Sequence, residues 1–127
     1  MSPGAALGAM TLGQLIDALG RLPLDARAWV GSGRYNPAML ISYRGYYDDL
    51  AVVFGSRVPP CRVHTLLSEL KYAIGGNFSG YKGGIYHPDA DTAVWVTANQ
   101  HEAYGNAVVA VEPRPGGYEL VVERIDP

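Results

Sequence analysis

The residue pattern predicts an α+β fold: a mostly antiparallel sheet of five to six strands with two amphipathic helices. Three observations lead there. Apolar residues recur at helical spacing in two stretches, near residues 12–19 and 62–74. Short apolar or alternating runs bounded by Gly, Pro, Asn and Asp occupy the rest, which is the chemistry of strands and turns. A length of 127 residues with 48% hydrophobic content suffices for one core and is too short for two ordinary ones.

The first helix opens at Thr11, whose hydroxyl suits a cap, with Gln14 placed to complete a capping box. Leu12, Leu15, Ile16 and Leu19 form its apolar stripe, and Gly20 and Pro23 end it. Because helix chemistry starts at Thr11, the domain is expected to span residues 10–127, with residues 1–9 as a flexible N-terminal extension outside the fold. Ala26–Val30 reads as a strand, Gly31–Pro37 as a loop and Ala38–Ser42 as a second short strand. Leu50–Phe54 is apolar throughout, so it is expected near the middle of the sheet. After Val58-Pro59-Pro60, residues 62–74 form the second helix, with Val63, Leu66, Leu67, Leu70 and Ile74 on its inner face and Gly75-Gly76 ending it. Residues 76–92 are rich in glycine and lack a helical period, so they read as a long loop with one short extended stretch at Ile85-Tyr86. Ala93–Ala98 is a strand, and Ala107–Val111 with Tyr118–Ile125 is a hairpin around Pro113-Arg114-Pro115-Gly116-Gly117. Helix, strands, helix, strands in that order is an α+β arrangement.

Composition narrows the function classes. No apolar run approaches a membrane span, and Met1–Met10 carries no Lys or Arg and no greasy stretch of the kind a secretory signal needs, so the cytoplasm is the expected compartment. A single cysteine, Cys61, excludes an intrachain disulfide and a multi-Cys zinc site. The net charge of −2 gives no global affinity for DNA or RNA. Its distribution is uneven: residues 27–82 hold seven basic against three acidic residues, and residues 88–127 hold two basic against seven acidic. A basic middle can hold an anion locally, or can simply be a solvated surface.

No complete catalytic constellation is present. His64, His87 and His101 lack the spacings that place two imidazoles on one metal, so no metal and no cofactor are expected. Cys61 and His64 are near in sequence, but nothing around them supports an activated thiolate. The acid pairs Asp48-Asp49 and Asp89/Asp91 suit caps or turns better than an acid/base couple. Gly75-Gly76 follows a helix instead of opening one, so it is no phosphate loop. The expectation is a binding protein and not an enzyme.

Two clusters combine aromatic, glycine and basic residues: Ser42-Tyr43-Arg44-Gly45-Tyr46-Tyr47-Asp48-Asp49-Leu50 and Phe78-Ser79-Gly80-Tyr81-Lys82-Gly83-Gly84. Aromatic faces stack on bases, Arg grips phosphate through paired N–H groups, and glycine lets backbone amides approach oxygens. The plainer reading is that the tyrosines cover the core rim and the glycines make turns.

On these clusters, together with Thr11-Leu12-Gly13 near the start, Leu66-Leu67 in the second helix and Val94-Trp95-Val96 after Thr92, the chain resembles the phage anti-Thoeris sponges that sequester cyclic ADP-ribose isomers. The resemblance spans residues 10–100 and departs from the pattern in Ile85-Tyr86-His87 and in an acidic hairpin, Ala107–Ile125, that follows as an addition. It implies a homodimer or higher homo-oligomer in the host bacterial cytoplasm that captures an immune signal without cleaving it. Some relatives also hold cyclic oligonucleotides. Carried onto the matched motifs, Phe78 and Tyr81 would stack on the base and Arg44 and Lys82 would bind phosphate. Asn99 is a further candidate, as an amide placed to reach a ribose after the Ala93–Ala98 strand. A nucleotide-degrading enzyme and a small adaptor that binds a host protein through exposed tyrosines are the competing functions.

Overall fold

A computed structural model describes residues 9–35, 37–42, 50–54, 61–76, 78–79, 85–97 and 106–124. Helix α1 is Leu12–Gly20 and helix α2 is Val63–Ala73. The strands are β1 Arg27–Val30, β2 Pro37–Ser42, β3 Leu50–Phe54, β4 Phe78–Ser79, β5 Ile85–Tyr86, β6 Val94–Thr97, β7 Asn106–Arg114 and β8 Gly117–Arg124. Neither helix is long and apolar enough to cross a membrane.

The capping box at α1 forms as the sequence predicts. The Gln14 amide N–H donates to Thr11 Oγ1 at 3.2 Å and the Thr11 N–H donates to Gln14 Oε1 at 2.9 Å, satisfying two donors that a helix start leaves open. Helix α2 has no side-chain cap, and its first amides are met from outside: Val63 N–H donates to Ala26 O and His64 N–H to Leu24 O. Those bonds dock the helix start beside β1.

The main sheet runs β1-β8-β7-β6-β3-β2, and β4 pairs with β5 in a separate hairpin. Antiparallel pairing predominates, joining β8 to β7, β7 to β6 and β3 to β2. Two pairings are parallel, β1 with β8 and β3 with β6. The second arises because α2 carries the chain back over the sheet between β3 and β6, the crossover that parallel neighbours require. As the apolar run at Leu50–Phe54 predicts, β3 lies inside the sheet, between β6 and β2.

Both helices pack on one face. Leu12, Leu15 and Leu19 of α1 and Val63, Leu66, Leu67, Leu70 and Ala73 of α2 enclose a core with Ala28, Val30, Val94, Val96, Val108 and Leu120 from the strands. Ile74, expected on the inner face of α2, is exposed because the helix ends at Ala73 and the chain turns there. Strand alternation sends Trp29 and Trp95 to the opposite face, where both are buried all the same.

The hairpin read at Ala107–Val111 with Tyr118–Ile125 forms as β7–β8 within the main sheet: β8 lies between β1 and β7, and Leu120 and Val108 are fully buried. Two sequence expectations change. The β7–β8 pairing continues through Pro113↔Tyr118 and Arg114↔Gly117, past the expected turn boundary. Proline is tolerated there because β6 pairs with β7 at Ala107, well before Pro113, so no ladder needs its N–H. The extended stretch read at Ile85-Tyr86 forms as β5, and the loop read before it contains a second strand, β4, with which β5 pairs.

The domain edge also moves. Ala9 is buried, the Met10 N–H donates to Val108 O at 2.7 Å, and the Val94 N–H donates to Met10 O at 3.0 Å. Thr11 then bridges Ala93. Residues 9–11 therefore enter the sheet where β6 and β7 separate beyond their Trp95↔Ala107 pair, and the extension expected through residue 9 ends by residue 8 at the latest.

Candidate functional site

Both clusters singled out by sequence join the two strands of a hairpin. Ser42 and Leu50 are Cα partners in the β2–β3 ladder, so residues 43–49 connect β2 to β3. Ser79 and Ile85 are partners in β4–β5, so residues 80–84 connect that hairpin. The hairpins are neighbours, with β4 running close to β2. Arg44, Tyr81, Lys82 and Asn99 lie outside the described residues. Phe78 opens β4, its backbone paired with Tyr86.

The parallel β3–β6 pairing fixes which end of the sheet is which. Leu50 pairs with Val94, so β6 begins at the end where residues 43–49 connect β2 and β3. The start of α1 is tied to the same end, since Leu12 N–H donates to Thr92 O and Gly13 N–H to Ala90 O. Thr97, two residues before Asn99 in sequence, pairs with Val53 at the other end, about 10 Å along the strand at ~3.3 Å per residue.

The second hairpin stands on a tied neck. At the end of α2, Gly75 takes a φ of +76°, in the left-handed region that glycine reaches without a Cβ penalty. Its N–H donates to the carbonyl of buried Pro88 at 2.8 Å, and His87 Nδ1 lies 3.1 Å from Gly76 O. These two contacts tie the residues that follow α2 to those that follow β5. Sequence reasoning missed this neck; the signal was a glycine pair at a helix end with His-Pro closing the glycine-rich segment.

Asp89 is structural, as its turn-like context suggests: its Oδ1 accepts the Asp91 N–H at 2.9 Å, and its own N–H donates to Thr92 Oγ1 at 3.0 Å. Two cations of the basic middle also serve the fold. The Arg34 guanidinium sits 4.3 Å from the Trp29 ring centroid and donates to Pro115 O at 3.0 Å, tying the turn after β1 to the β7–β8 turn. Arg62 Nη1 donates to Asp25 O at 3.0 Å. In the acidic half, Glu119 is buried and paired with Arg114 at 3.3 Å.

Burial raises the Cys61 thiol above its ordinary range; the backbone bond from Leu66 acts the other way and the Glu69 charge adds to the rise. A thiol held protonated is the reverse of an activated nucleophile. His64 Nδ1 lies 3.4 Å from Thr65 Oγ1. Among the described residues no three His, Cys, Asp or Glu side chains are grouped to hold a metal ion. Comparison with protein-family models, curated proteins and solved structures gives no match.

Proposed function

We propose that this chain is a phage anti-defence protein that binds and sequesters a cyclic nucleotide immune signal, a cyclic ADP-ribose isomer and in some settings a cyclic oligonucleotide, without cleaving it. The observation that supports the reading is that two hairpins carry connections of one composition, each with aromatic, glycine and basic residues, and that β4 of one hairpin comes close to β2 of the other. Hairpin connections present side chains and free backbone amides to a ligand while their strands stay fixed in a sheet. In this reading Phe78 and Tyr81 stack on the base, Arg44 and Lys82 bind phosphate and Asn99 reaches a ribose. The protein acts in the host bacterial cytoplasm as a homodimer or higher homo-oligomer.

A thermal-shift panel tests it. Cyclic ADP-ribose isomers, cyclic dinucleotides and linear controls are each added to the full chain. A captured nucleotide at about 100 times its Kd adds roughly 2.7 kcal/mol of stability. Stabilisation by one cyclic class supports the reading. An unshifted melting temperature across the panel favours an adaptor that binds a host protein and removes the sponge.

A further inference from the structure

We propose that Arg27 and Arg62 form a binding site for a phosphate dianion, free or as the end group of a small phosphomonoester, at the β1 edge of the sheet. The proposal does not rest on the sponge reading: β1 and β2 are the two opposite edges of the sheet, and the first candidate connection joins β2 to β3. Arg27 opens β1 and forms an antiparallel bridge with Arg62, the residue before α2. The Ala28 N–H donates to Cys61 O at 3.0 Å and the Val63 N–H to Ala26 O at 2.8 Å. Those two bonds flank the pair, so Arg27 and Arg62 face each other as a non-hydrogen-bonded pair, with Cα atoms about 4.5 Å apart and side chains on one face. Ala28 and Val30 point into the core beneath the helices, so Arg27 leaves by the opposite face, and both arginines are exposed.

Like charges directly opposed across a ladder work against the fold. Arg62 adds to that cost, because it stands at the positive end of α2, whose first turn carries no acid. The Val63 and His64 amides at that end already donate to Ala26 O and Leu24 O, so the site is the arginine pair and not the helix terminus. The pair is not neutralised from within. Asp25 lies two residues before Arg27, and the charge of Glu69 is felt at Cys61, yet among the described residues neither carboxylate forms an ion pair with either guanidinium. Arg62 is held instead by one bond, from Nη1 to Asp25 O at 3.0 Å, which fixes its direction and leaves its other N–H groups to donate elsewhere. The ligand class follows from the donors. One guanidinium fork takes up both oxygens of a carboxylate, whereas two facing forks call for an anion with more than two acceptor oxygens and two negative charges, which is a phosphate dianion.

The test uses the full chain as wild type, Arg27→Gln, Arg62→Gln and Arg27→Lys. Each is melted in sodium chloride and in sodium phosphate at equal ionic strength, then titrated calorimetrically with inorganic phosphate and with glycerol 3-phosphate. In chloride, Arg27→Gln should melt at or slightly above the wild-type temperature, since it relieves the repulsion and breaks no bond. Phosphate should raise the wild-type Tm by more than that of either Gln variant, a difference that cancels the general stabilisation phosphate gives to folded proteins. The titrations should show binding about ten- to a hundredfold weaker in the Gln variants, with a smaller loss in Arg27→Lys, which keeps the charge but not the fork. Binding of both probes places the ligand among phosphomonoesters, and binding of inorganic phosphate alone makes it the free ion; either result supports the site. Equal phosphate responses in wild type and Arg27→Gln, or no binding of either probe to wild type, overturn the proposal and leave the two arginines as solvated surface. If Arg62→Gln lowers Tm in chloride through loss of its bond to Asp25 O, Arg27→Gln still decides the question.

Discussion

Among the glycines whose surroundings are described, Gly117 is the one where an added methyl group should cost this fold most, because it meets backbone and a buried indole. Gly117 opens β8 and pairs in parallel with Arg27 of β1. A Cβ placed on it would lie 2.8 Å from Trp29 Cζ3 and 3.1 Å from the Arg27 carbonyl carbon, and nearer still to the Arg27 oxygen. Ordinary contacts begin near 3.4 Å, so something must move. Trp29 is buried under the Arg34 guanidinium, and Arg34 is held to Pro115 O, so the indole cannot swing away without breaking that tie. The alternative is to open the first rung between β1 and β8. Overpacking costs about 1–3 kcal/mol and the lost rung about 1 kcal/mol, giving a loss of about 3 kcal/mol. For a domain of this size that lowers Tm by about 10 °C. Gly20→Ala is the control: nothing lies within 4 Å of its Cβ position at the end of α1, so the change should be neutral or stabilising by up to about 1 kcal/mol. Thermal unfolding by circular dichroism, with urea midpoints as a second measure, compares the two. Equal melting temperatures for Gly117→Ala and wild type would refute the packing described at the β1–β8 edge.

Removing residues 1–8 should leave Tm unchanged, whereas removal through Met10, or Met10→Pro, should lower stability by about 1–3 kcal/mol, because the N–H bonded to Val108 O is lost inside the sheet; scanning calorimetry of the three variants checks this. Cys61 should react with iodoacetamide at pH 8 more slowly than a free thiol, since a raised pKa leaves less thiolate at that pH; mass spectrometry against glutathione measures the ratio. Arg44→Ala should abolish nucleotide capture with Tm unchanged, and Phe78→Ala should weaken it by about 1–3 kcal/mol while Phe78→Trp preserves it, because any broad π-face can stack. Calorimetric titration with parallel melting curves separates these outcomes from a core role, in which Phe78→Ala would instead cost about 3–5 kcal/mol of folding stability.

Much of the fold was legible because its signals are local. Thr11 with Gln14 and the leucines behind them announce α1 without reference to any other part of the chain. The apolar run Leu50–Phe54 reads as an inner strand because both faces are apolar. What escaped depends on partners distant in sequence. Nothing in Arg27–Val30 says that it runs parallel to Gly117–Arg124, and nothing in Met10 says that its N–H and carbonyl bond to Val108 and Val94. Phe78-Ser79 is too short to show alternation, so β4 becomes visible only through β5. The same limit applies at the candidate site: the family resemblance nominates Arg44, Phe78, Tyr81 and Lys82, but the neck that ties the second hairpin to α2 is built from two glycine backbones and His87-Pro88.

Capture without turnover separates a sponge from every competing function. The full chain is incubated with a cyclic ADP-ribose isomer, freed of unbound nucleotide, denatured by heat and filtered, and the filtrate is analysed by chromatography and mass spectrometry. A sponge returns the same cyclic molecule, unaltered in mass and retention, in a fixed ratio to protein. A linear or cleaved product in the filtrate would make the protein an enzyme, and an empty filtrate would leave it no nucleotide to sequester.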